Sequence, residues 1–127
     1  MHRNYLLYLE DILVSTGKIL KYAGGSSYED LFVDEMRLEA IIRNFEIIGE
    51  ASSKISQDIR DKYPFIEWRK ILDFRNVLAH EYFGIDYEIM WEIIKDKLPD
   101  LHKNIQVIIE KEKVGKENDE GKAEDIK

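Results

Sequence analysis

From Glu67 to Tyr82 the chain reads EWRKILDFRNVLAHEY, and the spacing inside that stretch decides the fold class. Trp68, Ile71, Leu72, Leu78 and Tyr82 recur three and four positions apart, with Arg75 in the same series, which is the period of one helix face. Lys62-Tyr63-Pro64 stands just upstream, and proline disfavours helical geometry in the residue before it, so the helix is expected to begin near Glu67. Gly84 suits its end. No run of alternating apolar residues bounded by hairpin turns occurs, so strand signals are weak.

The same period continues on both sides. Tyr5, Leu9, Ile12, Leu13, Ile19 and Leu20 predict a first helix, broken by Gly24 and Gly25. Ser26 with Glu29 three places on has the form of a capping box for a second helix. That helix, bent on the way, runs to about Ile55 and buries Leu38, Ile41, Ile42, Phe45, Ile48 and Ile55. Gly49 falls on its buried face, where a missing side chain lets another helix approach closely. Asp86 can cap a fourth helix with Ile89, Ile93 and Ile94 inward. Pro99 interrupts the chain and suits the first turn of a last helix that buries Leu101, Ile105, Ile108 and Ile109. About five helices with short connections predict an all-α, up-and-down bundle over residues 1–113. Residues 114–127 are polar and are expected to be a disordered tail.

Composition bounds the chemistry. At 127 residues the chain is long enough for one core. It has no cysteine, which excludes disulfides, thiolate nucleophiles and cysteine-based zinc sites. His2 and His102 lack metal-ligand surroundings, so no metal site and no cofactor are expected. No secretory leader or membrane span is apparent, and a soluble cytoplasmic protein is the expectation. The net charge is −7, of which three lysines and five carboxylates in residues 114–127 account for −2. The remaining −5 argues against a broad basic surface that coats nucleic acid, though not against a small cationic pocket.

Chemistry concentrates between Arg75 and Tyr82. A guanidinium can hold a phosphate through two parallel hydrogen bonds, and a histidine moves protons at neutral pH. Arg75 and Tyr82 are seven residues apart and nearly share a face; Asn76 and His80, four apart, form an adjacent pair. Arg75 and His80 diverge by about 140° around an ideal helix. Either the arginine bends round, the helix loosens near Glu81, or a second subunit completes the site. The helical neighbours of Arg75 are Ile71, Leu72, Leu78 and Ala79, so its anion must come from another helix, another subunit or a ligand. Glu46 and Glu50 are the cross-helix candidates; Arg43 and Glu50 suit either a cleft wall or a salt bridge within the bundle.

These residues resemble the Arg-x4-His motif of the HEPN (higher eukaryotes and prokaryotes nucleotide-binding) superfamily, and Arg75, His80 and Tyr82 together match the Arg-x4-His-x-Tyr pattern of HepT-like toxins. The likeness extends to Arg43-Asn44-Phe45-Glu46-Ile47-Ile48-Gly49-Glu50-Ala51, to Pro64-Phe65-Ile66-Glu67-Trp68, to Ile85-Asp86-Tyr87 and to Leu98-Pro99-Asp100-Leu101. It implies a dimeric, HEPN-like helical protein whose paired motifs line an interface cleft. It also implies a metal-independent endoribonuclease, the toxin of a type VII-like toxin–antitoxin pair. On that resemblance Arg75 binds the scissile phosphate, His80 is general acid or base, and Asn76 supports them. Tyr82 is the residue to which an MntA-like nucleotidyltransferase antitoxin transfers AMP. The competing expectation is a non-catalytic helical adaptor that binds a nucleotidyltransferase or a nucleotide, which the acidic charge favours.

Overall fold

The computed structural model describes the backbone of residues 5–80 and 85–126, with side chains for 5–79 and 85–115. Those residues form an all-α body without strands: α1 (Tyr5–Ala23), α2 (Tyr28–Val33), α3 (Glu35–Lys54), α4 (Gln57–Lys62), α5 (Trp68–His80), α6 (Tyr87–Glu92), a π-helical turn (Ile93–Lys97) and α7 (Leu98–Ile126).

The breaks follow local chemistry. After α1, Gly25 takes φ +74°, a left-handed value that side-chain-bearing residues rarely adopt. The N-cap of α2 is Ser27, whose hydroxyl accepts from the Asp30 N–H, one residue along from the expected Ser26–Glu29 box. Ser26 is instead occupied by Arg37, whose guanidinium also donates to the Tyr22 carbonyl at 3.0 Å. The expected bend lies at Asp34, which ends α2 and caps α3 by accepting from the Arg37 N–H. The hydrogen bonds from Arg37 hold the Asp34 carboxyl below its ordinary range. Arg60 of the short α4, an element without a clear sequence signal, donates to the Ser53 and Ile55 carbonyls at the end of α3.

Asp86 caps α6 through the Glu88 and Ile89 N–H groups, as its position predicts. The helix does not then stop at Pro99. A π turn, with the Leu98 N–H bonded to the Ile93 carbonyl, widens the coil just ahead of the proline and accommodates both its ring and its missing N–H. The chain is therefore helical from α6 through α7, and two expected helices are one interrupted rod. Its backbone is helical to Ile126, across the residues for which composition suggests disorder. Ile89 is 54% exposed rather than inward; Met90 and Ile94 take the buried positions.

Paired contacts give the helix directions. Lys54 lies over the Tyr8 ring while Arg37 reaches Tyr22, so α3 runs antiparallel to α1. Tyr5 meets Glu112 and Thr16 meets His102, so α7 does the same. Flanked on two sides, α1 buries Leu6, Ser15, Thr16 and Ala23 as well as Leu9, Ile12 and Ile19, a wider arc than a single stripe. Glu112 is a buried carboxylate that accepts from Tyr5 (2.6 Å), Lys62 (2.8 Å) and Tyr63 and so ties α1, the end of α4 and α7 together. No helix among the described residues is long and apolar enough to cross a membrane.

Candidate nuclease site

Gly49 positions the site. A β-carbon added there would stand 2.7 Å from Arg75 Cγ and 3.0 Å from Cδ, and closer still to Cβ. The stem of Arg75 therefore lies directly on the backbone of α3, the close approach that a glycine on this face allows. One turn earlier Phe45 stacks on Phe74, ring centroids 5.0 Å apart and 21° from parallel, which fixes the rotation of α5.

The guanidinium then reaches the Glu50 carboxylate, the anion that the apolar neighbours of Arg75 do not supply. Arg75 is 35% and Glu50 51% exposed, so solvent screens the pair and its worth is at most about 1 kcal/mol. A phosphate, with more acceptor oxygens and charge, can compete for a guanidinium held this loosely. Glu50 thus holds Arg75 at the surface without consuming its capacity for an anion.

Beside Arg75 opens a cleft of about 360 Å³ between α3, α5 and the π turn with the start of α7. Its floor is apolar: Phe45, Ile48, Ile71, Phe74, Leu98 and Leu101. Phe65 at its lip is 54% exposed. The polar rim includes Glu67, which pairs with Lys70 at 2.6 Å and Lys97 at 3.6 Å. The hydrogen bond from Lys70 leads in keeping the Glu67 carboxyl below its usual range. Glu67 and Lys70 are three apart and were findable as a helical pair; Lys97 comes from a distant segment and left no trace in the spacing.

The remaining expected residues separate. Asn76 faces a different surface depression, with Arg60, Asp61, Trp68 and Asp73. Arg43 pairs with Glu46 one turn along α3 at 3.3 Å, and neither Arg43 nor Glu50 is among the residues that line the Arg75 cleft. Both Arg75 and His80 lie within α5, so their backbone positions keep the helical divergence of about 140°. The His80 side chain and all of Tyr82 lie outside the described residues. No group of three or more His, Cys, Asp or Glu side chains among the described residues could hold a metal ion.

Comparison with known proteins gives a consistent picture. Residues 12–108 match a family model described as HepT-like, ribonuclease HepT-like. The chain is 37% identical over 106 residues to a Methanocaldococcus jannaschii protein named "Putative RNase", covering 84% of this chain and 97% of that one. It is 39% identical over 106 residues to a protein of the same description from Caldanaerobacter subterraneus subsp. tengcongensis, covering 84% and 95%. It is 38% identical over 101 residues to a Thermococcus cleftensis protein named "Probable ribonuclease HepT", covering 80% and 92%. No solved structure matches the chain significantly.

Proposed function

The chain belongs to the HepT-like ribonuclease family, and from that premise we propose that it is a metal-independent endoribonuclease acting as a homodimer. The observation that carries the reading is Arg75, seated on Gly49 beside an apolar cleft and tethered, among the described residues, by a half-exposed carboxylate.

In this reading the guanidinium of Arg75 binds the scissile phosphate and offsets the charge that builds on its oxygens. The ribose 2′-oxygen attacks phosphorus, the bond to the 5′-oxygen breaks, and His80 moves the proton that one oxygen loses or the other gains. The products are a 2′,3′-cyclic phosphate and a free 5′-hydroxyl, and DNA is no substrate because it lacks the nucleophile. The backbone divergence of Arg75 and His80 favours a site completed across a dimer interface. The Arg75 cleft, with exposed Phe65 at its lip and exposed Ile89 one turn from Ile93 of its wall, is the apolar face suited to a second copy. Asn76, four residues before His80 and lining another depression, supports the site by orienting His80.

Control belongs to Tyr82. A partner nucleotidyltransferase moves AMP from ATP to the phenol oxygen and releases pyrophosphate, which adds a bulky, negatively charged phosphodiester two residues along the chain from His80 and so opposes RNA binding. The enzyme is then the toxin, and the transferase the antitoxin, of a cytoplasmic pair.

The test is cleavage of a fluorescent RNA oligonucleotide in EDTA by the wild type, Arg75→Ala and His80→Ala. Cleavage by the wild type with a drop of at least about a hundredfold in each variant supports the assignment. Equal activity in all three, or none in any, overturns it and leaves the adaptor reading.

A further inference from the structure

On the side of the bundle formed by α2 and α6, four aromatic rings gather that no element among the described residues covers. Phe32 stacks on Tyr87 at 4.9 Å and lies 4.7 Å from Tyr28, and Tyr28 meets Trp91 edge to face at 5.9 Å. Tyr87 is exposed and the other three are half-buried. Val33, the next residue after Phe32, is 81% exposed, and Met36 just beyond it 83%. A core explanation accounts for the inner edges of these rings but not for apolar side chains left in water around them.

Charge around this ridge is one-sided. Residues 28–39 and 86–95 hold eight carboxylates against two cations. Arg37 is turned inward to Asp34 and the α1–α2 loop, and Lys95 sits 4.7 Å over the Trp91 ring. Burial, followed by the charges of Glu88, Asp86 and Glu29, pushes the Tyr28 phenol up. An acidic rim repels RNA phosphates. In a symmetric contact with a second copy it would also face itself. Both point to a basic protein surface as the occupant.

Position narrows the occupant further. Asp86, the cap of α6, follows Tyr82 by four residues, so their α-carbons are at most about 14 Å apart whatever path the chain takes. We propose that this ridge is the docking surface of the nucleotidyl-transferring partner, which presents an apolar anchor ringed by lysine or arginine. The inference rests on the reading of Tyr82 as the modified residue and assigns the surface that brings the transferase to it.

The probes are the purified small nucleotidyltransferases of the same genome. Each is titrated calorimetrically against the wild type and against the Val33→Arg, Glu88→Lys double variant, and AMP transfer is followed by intact mass and site mapping. Both substituted side chains are exposed. Thermal unfolding and RNA cleavage by the variant should therefore stay at wild-type values, which separates lost docking from lost folding. The proposal expects one transferase to bind the wild type, more weakly as salt rises, and to label Tyr82. It expects about a tenfold or larger loss of affinity in the variant, with labelling restored at saturating partner. Equal affinity and labelling of wild type and variant overturn the ridge while leaving Tyr82 as the target. Binding lost in the variant with AMP mapped elsewhere keeps the ridge and overturns the Tyr82 reading. No transferase binding the wild type overturns both.

Discussion

Gly49→Ala adds one methyl group at the point where Arg75 lies on α3. The new β-carbon would lie 2.7 Å from Arg75 Cγ, against about 3.5–4.0 Å for ordinary carbon contacts. The nearest obstruction is Arg75 Cβ, which is fixed to the α5 backbone and cannot swing aside. Helices α3 and α5 must therefore part or turn by about 1 Å. Overpacking of this kind costs about 1–3 kcal/mol, and replacing a mid-helix glycine by alanine returns about 1 kcal/mol. The net change is a loss of about 0–2 kcal/mol, readable by urea unfolding at constant m-value. Activity should suffer more, because displacing a catalytic group by about 1 Å costs on the order of a hundredfold. Gly115→Ala is the control, since an added β-carbon there meets nothing within 4 Å; it should leave cleavage unchanged. A Gly49→Ala protein that gains about 1 kcal/mol and cleaves RNA at the wild-type rate would refute the close approach and the placement of Arg75 built on it.

Three further outcomes follow from named contacts. Arg75→Lys keeps the charge but loses the planar fork, so cleavage should fall at least about tenfold while urea stability changes by under about 1 kcal/mol. Burial pushes the Glu112 carboxyl up, but hydrogen bonds from Lys62, Tyr5 and Tyr63 outweigh it and hold the group below the ordinary carboxylate range. Its stabilisation is therefore present above the unfolded value and lost as pH falls through the folded one, and Glu112→Gln should be less stable at pH 7 by about 1–3 kcal/mol with a flatter acid limb in thermal melts. Tyr82→Phe should cleave RNA yet gain no AMP mass when incubated with ATP and the transferase; labelled Tyr82→Phe would contradict the assignment.

Much of the fold was legible because the apolar period is strong. The Gly49 face, the break at Pro64 and the Asp86 cap each rest on one residue's stereochemistry, and each appears where expected. The misreadings occurred where a neighbour decided the outcome. Ser26 was taken by Arg37 from α3, which left capping to Ser27. Pro99 does stand in the first turn of α7 as expected, but the π turn that joins that helix to α6 without a break is announced by no local rule. At the site, the need of Arg75 for an anion was readable from its apolar neighbours, and Glu50 was one of two candidates. Spacing put Asn76 on a face adjacent to that of Arg75, but which groove each face borders depends on how α5 packs and was not readable from it. The Glu112 hub joins residues about a hundred positions apart and has no sequence pattern.

One substrate change decides whether this chain cuts RNA through the ribose hydroxyl without a metal. An RNA oligonucleotide is mapped for its main cut in EDTA, and the same oligonucleotide is remade with a single 2′-deoxyribose on the 5′ side of that bond. Cutting at that bond should disappear, and the unmodified RNA should yield a 2′,3′-cyclic phosphate by mass. Continued cutting at the deoxy position, or products ending in a 3′-hydroxyl and a 5′-phosphate, would contradict it.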